Sequence, residues 1–366
     1  MSGRRVVISG GGTGGHLYPA LVVGRKLRET DATVELTYVG TDRDVEKKIM
    51  DENGVRFIPL RIEGLKGRGL KSLKALTLLP RSFAESRAVL RRTGPALVIG
   101  VGGYSSGPIV LLASWAGIPT VILEQNVRPG FTNRMLARWV RKAVVAFESS
   151  LPYFKGKGIC LGNPVREEFY RLPAKPRSGR LSVLVFGGSQ GSRFLNERMT
   201  AALPFLAEVR DRLAISHQTG SKDLDRVAGR YRAAGFDAGG VAPYISDMAG
   251  AFGRADLIVC RAGATTLAEI IAARKAALLV PFAGASEDHQ TSNARELESV
   301  GGAEVLPELR LTAEVLAGRL FHYLNSPAEL EAMERNLLVL RTENPAAKIA
   351  DLCLSLMGAG GEEQRP

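Results

Sequence analysis

The chain has 366 residues, 45% hydrophobic, 6% aromatic and 23% charged, the composition of a globular protein long enough for two domains. Its three cysteines, Cys160, Cys260 and Cys353, are odd in number and far apart, so neither a disulfide framework nor a metal knuckle follows and a reducing compartment is expected. The formal charge of +12 is one-sided, with 25 Lys and Arg against 12 Asp and Glu in residues 1–163 and 24 against 25 in the remainder, which reads either as a basic solubilising surface or as attraction to a polyanion, nucleic acid or acidic lipid.

Residues 4–19 read RRVVISGGGTGGHLYP, a short apolar run, a glycine loop and then a histidine. Nothing there is long enough for a signal peptide. A strand over Arg5–Ser9 and a helix over Leu17–Arg28 are predicted. Between them, Gly10, Gly12 and Gly15 have the G-x-G-x-x-G spacing. Such a loop aims backbone N–H groups and the positive end of a helix at an anion, and the physics fits any diphosphate. Asp42, just past the next strand, could complete a dinucleotide fingerprint. Thr13 and His16 argue against it, because polar side chains stand where that fold packs small or apolar ones. In the first turn of a helix, His16 is disfavoured as an imidazolium and is suited to accept a proton.

Further strands are predicted over Val34–Val39, Arg56–Leu60, Ala96–Val101, Thr120–Glu124 and Ala143–Phe147, and a helix over Phe131–Val140. Within residues 61–92, nine basic residues outnumber two acidic ones. Leu70, Leu73, Leu76, Leu79 and Phe83 recur at near-helical spacing, with Lys71, Lys74 and Arg81 among them, the pattern of a helix that settles into an anionic lipid interface. The most apolar stretch, Pro108–Leu123, is interrupted by Gly117 and Pro119 and is shorter than the roughly 20 residues a bilayer span needs. GVGGYSSGP (100–108) and EQN (124–126) each follow a predicted strand, where ligand-facing corners gather in open parallel sheets.

Residues 163–180 are rich in Pro and Arg and read as an interdomain linker. Strand, glycine loop and helix then return in RLSVLVFGGSQGSRFLNERM (180–199). Strands follow over Arg212–Ile215, Leu257–Cys260, Ala277–Val280 and Glu304–Leu306, and a long helical tail runs from Pro327 to Met357. CRAGATTLAE (260–269) places Glu269 in the first turns of a helix, where its carboxylate could take two ribose hydroxyls or simply complement the helix dipole. Asp42-x-Asp44 and Asp223-x-Asp225 have a metal-pair spacing but precede helices rather than follow buried strands, so no metal site is expected. The whole reads as α/β, two Rossmann-like domains in tandem.

Six motifs in order, GGTGGH (11–16), GVGGYSSGP, EQN, GNPVR (162–166), GGSQG (187–191) and CRAGATTLAE, make the chain resemble the bacterial MurG family, N-acetylglucosaminyltransferases of glycosyltransferase family 28. The resemblance implies a GT-B fold, two Rossmann-like domains facing across a cleft; a C-terminal helix at 341–357 is expected to pack back on the first domain, and the composition of residues 358–366 reads as a disordered tail. Residues 1–163 would bind the acceptor and the membrane, 164–180 would link, and 181–340 would bind UDP-GlcNAc. The implied reaction is inverting, metal-independent transfer of GlcNAc from UDP-GlcNAc to the C4 hydroxyl of undecaprenyl-diphospho-MurNAc-pentapeptide (lipid I), giving lipid II for peptidoglycan. No cofactor, metal or nucleic acid is implied. The partners would be the anionic cytoplasmic membrane surface, on which the protein would be peripheral, and other cell-wall synthesis proteins.

Carried over residue by residue, the family's general base falls on His16. Its donor contacts fall on Thr13, Gly14, Gly15, Asn126, Arg166, Ser189, Ile245, Ala264, Thr265, Thr266, Leu267, Ala268, Glu269 and Gln290. Gly12, Gly102, Gly103 and Tyr104 are candidates for the acceptor diphosphate. The alternatives are another GT-B enzyme, either a glycolipid transferase or a UDP-sugar epimerase, and then an NAD-dependent oxidoreductase. A nucleic-acid-binding module would explain the charge but not two phosphate loops, and the basic stretch lacks interleaved base-stacking aromatics beyond Phe83.

Overall fold

The computed structural model describes residues 4–11, 14–60, 70–285 and 288–359. The chain divides into two units, residues 1–165 with 342–366, and residues 166–341.

The first unit alternates strand and helix: β1 (Arg4–Ser9), α1 (Gly14–Thr30), β2 (Val34–Thr41), α2 (Asp44–Glu52), β3 (Phe57–Leu60), α3 (Leu70–Thr93), β4 (Leu97–Gly100), α4 (Ser106–Trp115), β5 (Thr120–Glu124), α5 (Phe131–Leu136), β6 (Lys142–Val145) and β7 (Gly158–Cys160). All seven strands are parallel, in the order β3-β2-β1-β4-β5-β6-β7. Strand side chains alternate between faces, and in a parallel sheet both faces are covered. Val6 and Ile8 accordingly enter one core with Leu97, Ile99, Val121 and Leu123. Val7 enters the other with Val98, Ile122, Ala143 and Val145.

The second unit holds β8 (Leu181–Phe186), α6 (Arg193–Ala202), β9 (Leu213–Gln218), α7 (Leu224–Ala233), β10 (Val241–Ala242), α8 (Met248–Arg254), β11 (Leu257–Cys260), α9 (Ala264–Ala273), β12 (Ala277–Leu279), α10 (His289–Ser299), β13 (Glu304–Val305), α11 (Ala313–Asn325) and α12 (Pro327–Asn336). Its six parallel strands run β10-β9-β8-β11-β12-β13. The first strand in sequence lies centrally in each sheet, and the strand order reverses beside it, the switch point at which such sheets bind ligands.

Several boundaries differ from the sequence reading. The tail read as one helix from Pro327 is broken: α12 stops at Asn336, and α13 (Pro345–Ala359) begins only after Asn344, which takes φ +47°. Pro345 disfavours a helical residue before it, which is the physical cause of the break. In α13, Ile349, Ala350 and Cys353 are fully buried against the Leu17, Leu21 and Leu27 side of α1.

The Pro- and Arg-rich segment is no loose tether. Phe169 is buried edge-on against Phe252, with centroids 5.1 Å apart. Lys175 and Arg177 both pair with the buried Asp256, at 2.7 and 2.9 Å, and the Ser182 amide donates to the same carboxylate. The predicted helix over Phe131–Val140 ends at Leu136. β7 and β10, three and two residues long, are too short for a period to register.

Candidate active site

In the first unit the loop after β1 meets the loop after β4. Gly103 takes φ +79°, and a Cβ there would fall 2.5 Å from the Gly11 carbonyl oxygen. A Cβ at Gly10 would strike Val101. Only glycine permits this approach. Gly102, at φ +92°, faces the His16 imidazole, which would lie 3.0 Å from an added Cβ. His16 is half-buried in the first turn of α1, as its place in the sequence suggests. His16, Gly102 and Gly103 are thus brought together, and the half-buried Tyr104 follows at the start of α4. Gly14 and Gly15 open α1, whereas Gly12 and Thr13 lie outside the described residues.

Two buried carboxylates, Glu46 and the Glu124 of the EQN corner, hold these turns. Glu46, 2% exposed, accepts from the Thr41 amide (2.8 Å) and hydroxyl, and it fills the space beside Gly11 and Gly40. Glu124, at the end of β5, accepts from the amides of Asn126 (2.9 Å) and Gly130 (3.0 Å) and from the Asn126 and Asn133 side chains. Burial pushes the Glu124 carboxyl above its ordinary value, and these donors pull it back. Asn126 is therefore held in place by its neighbour two residues earlier.

In the second unit the turn Gly187–Gly191 joins β8 to α6. Gly188 and Gly191 take φ +97° and +75°, and a Cβ at Gly191 would strike the Thr219 carbonyl oxygen. Ser189 is exposed at the tip. Gln218, 1% exposed, bridges this turn to Ile245: its Nε2 donates to the Gly188 carbonyl (2.9 Å) and its Oε1 accepts from the Ile245 amide (2.7 Å). One residue earlier, His217 bonds Tyr231 and Asn196 through its two nitrogens. Asn196 Nδ2 donates to the Thr219 carbonyl (2.9 Å), so the Asn196 oxygen accepts and His217 Nε2 carries the proton. Burial lowers the His217 pKa to about 4 and keeps the ring neutral.

The ends of β11 and β12 are tied in the same way. Gln290 Oε1 accepts from the Ala262 (3.2 Å) and Phe282 (3.0 Å) amides. Arg261 pairs with Glu308, donates to the Val280 carbonyl and to Ser192, and lies over the rings of Phe194 and Phe282. No side chain caps α9 at Gly263, so the start of this helix is suited to an anion. Ala264, Thr265 and Thr266 are half-buried there. The Leu267 side chain is wholly buried and its amide donates to the Gly263 carbonyl. Ala268 is buried too.

Glu269 lies a turn deeper, half-buried. Burial raises its pKa to about 7, opposed by Arg166 and reinforced by Glu168. Arg166 itself pairs with Glu168 (2.7 Å) and stacks on Phe169. Of the aspartate pairs, Asp42 is held by Lys47, and Asp223 by Asn196 and Arg226.

In α3, Arg81 pairs with Glu85 (3.0 Å) and Phe83 is half-buried. Leu70, Lys71, Leu73, Lys74, Leu76 and Leu79 lie on its first half, and their side chains fall outside the described ones. No described helix is long and apolar enough to cross a membrane.

Residues 6–145 match the glycosyltransferase family 28 N-terminal domain and residues 182–353 its C-terminal domain. A UDP-N-acetylglucosamine--N-acetylmuramyl-(pentapeptide) pyrophosphoryl-undecaprenol N-acetylglucosamine transferase of Myxococcus xanthus is 44% identical, over 99% of this chain and 96% of its own. The protein of the same name from Syntrophus aciditrophicus is 43% identical, over 96% and 99%. The crystal structure of Acinetobacter baumannii MurG superposes with a TM-score of 0.78 at 30% identity, over 96% of this chain and 99% of its own. A UDP-N-acetylglucosamine 2-epimerase from Listeria monocytogenes reaches 0.67 at 14% identity, over 99% and 98%, a likeness of fold.

The two positive-φ glycines of the second turn make a paired test. Gly188→Ala meets no atom within 4 Å and should cost about 1 kcal/mol of backbone strain. Gly191→Ala adds the clash with Thr219 and should cost about 3 kcal/mol in urea unfolding.

Proposed function

The chain belongs to glycosyltransferase family 28, and on that premise we propose how its two units divide the work. The enzyme transfers N-acetylglucosamine from UDP-N-acetylglucosamine to lipid I, giving lipid II, the step named for its relatives. The fold is GT-B, with two Rossmann-like sheets. Family membership leaves no support for the nicotinamide reading.

In this proposal the second unit holds the donor. The Gly187–Gly191 turn, with Ser189, and the uncapped start of α9 at Ala264–Thr266 take the diphosphate. Glu269 accepts the ribose hydroxyls, and Ile245, Gln290 and Arg166 complete this unit's contacts; Thr13, Gly14, Gly15 and Asn126 are the further donor contacts that the family resemblance assigns. Gly12, Gly102, Gly103 and Tyr104 receive the acceptor diphosphate. His16 removes the proton from the acceptor's C4 hydroxyl as that oxygen bonds the anomeric carbon, and the bond from that carbon to the UDP oxygen breaks on the opposite face with inversion. Backbone amides and helix ends take up the charge left on UDP, so no metal is needed.

The observation that carries this reading is His16 set against Gly102, in a glycine corner of the acceptor unit. Turnover of UDP-GlcNAc with a lipid I analogue in EDTA tests it. His16→Ala should lower kcat by about 10²–10⁴-fold with little change in donor KM, and near-normal turnover removes the assignment.

Glu269 supplies a pH test. With its pKa raised to about 7, the neutral carboxyl predominates below that pH and cannot accept both ribose hydroxyls. Binding donates hydrogen bonds to the carboxylate and favours its ionised form. Donor affinity should therefore rise as pH climbs through about 7, and Glu269→Gln should bind more weakly with that slope abolished. A wild-type slope retained in Glu269→Gln refutes the contact.

The first unit also carries the proposed membrane surface, on the cytoplasmic side, with α3 at its centre. In the same unit the exposed indoles of Trp115 and Trp139 stack edge-on, 5.9 Å apart, with Arg138 over Trp139. Indole rings favour the headgroup level, and arginine favours anionic lipid. Replacing Trp115 and Trp139 together by Ser should cut co-sedimentation with phosphatidylglycerol vesicles several-fold at low salt. Unchanged co-sedimentation excludes the pair from that surface.

A further inference from the structure

We propose that the first unit carries a second anion site, for a phosphate-bearing small molecule or headgroup, at the end of its sheet opposite the glycine loops. A pocket of about 390 Å³ opens there over the starts of β1 and β2, within the size range of small-ligand sites. Four arginines line it, each from a different element: Arg5 in β1, Arg28 in the last turn of α1, Arg56 just before β3, and Arg92 in the last turn of α3. Glu35 is its one carboxylate, directly across from Arg5 in the strand register. Four fixed positive charges thus face a single negative one.

Some surface cations of this unit have carboxylate partners: Arg4 with Asp31, Lys26 with Glu29, Lys47 with Asp42, Arg81 with Glu85. Among the described residues, none of the four pocket arginines has an ion pair. Arg28 and Arg92 also complement the negative ends of their helices. Arg5, in β1, and Arg56, just before β3, are not themselves on helices.

The pocket has a built wall. α3 stops at Thr93, 5% exposed, and Gly94 turns the chain at φ +51°. The Arg5 guanidinium lies against that turn, 3.2 Å from where a Gly94 Cβ would sit. Buried Val6, Val7 and Leu36 form the floor. Guanidinium forks match phosphate oxygens bidentately, and several on a small surface favour a group carrying more than one negative charge. The site lies a strand length, about 16 Å, from the glycine loop after β1, so it is separate from the proposed donor and acceptor contacts.

The test is calorimetric titration of the full chain with pyrophosphate, with UDP saturating the donor site and a lipid I analogue saturating the acceptor site. The wild type should show one saturable further site, weakened at least about ten-fold in Arg5→Gln/Arg56→Gln/Arg92→Gln, with turnover unchanged. Should that variant fail to fold, Arg92→Gln alone, at an exposed position, should weaken binding about three-fold. Binding of phosphatidylglycerol vesicles distinguishes the source: a loss in the variant assigns a lipid headgroup, and vesicle binding unchanged beside lost pyrophosphate binding assigns a soluble phosphate. Equal pyrophosphate binding by wild type and variant, or no saturable binding of either probe by the wild type, overturns the proposal.

Discussion

At the carboxyl ends of both sheets the backbone approaches itself more closely than a Cβ allows, and the arrangement of the candidate site depends on that. Gly103 against Gly11 and Gly191 against Thr219 are two such places, where an added Cβ would fall 2.5 Å or less from a carbonyl oxygen. In each the turn after the first strand of a unit is pressed onto the turn that follows a neighbouring strand. The close approach fixes where the amides of the turn point and brings His16 beside Gly102. A larger residue would reopen the loop and displace the start of the helix behind it.

Buried polar side chains then hold these turns to one another. Gln218 ties the second glycine turn to Ile245, Gln290 ties the ends of β11 and β12, and Glu124 gathers the corner around Asn126. Each satisfies backbone groups that a tight turn cannot pair internally, and an unpaired buried amide costs about 1–3 kcal/mol. These side chains bind across strand ends, so their role follows from the parallel order of the sheet. Arg261 does the same with charge, joining Glu308, two carbonyls and two rings.

The excess charge has a comparable logic. In the second unit several basic side chains serve internal structure: Arg177 and Lys175 pair with the buried Asp256, Arg319 with Glu304, Arg261 with Glu308. In the first unit several stay at the surface with carboxylates too few to answer them. That difference between the halves is visible in the composition, and its division between a lipid-facing helix and the pocket at the far sheet end rests on the fold.

The sequence by itself determined the alternation of strand and helix, the glycine turns after β1 and β8, and the position of His16, because these depend on local periodicity and on what glycine alone can do. It could not reveal Gln218, since Ser216, His217 and Gln218 break the apolar run that marks a strand, and β9 reads too short without them. Nor could it reveal that Leu267, inside a matched motif, turns into the core, or that Arg177 leaves an apparent linker to neutralise Asp256. Those facts belong to tertiary structure: whether a polar residue is exposed or buried among strand ends is decided by which segments the sheet brings together, and sequence distance carries no record of that.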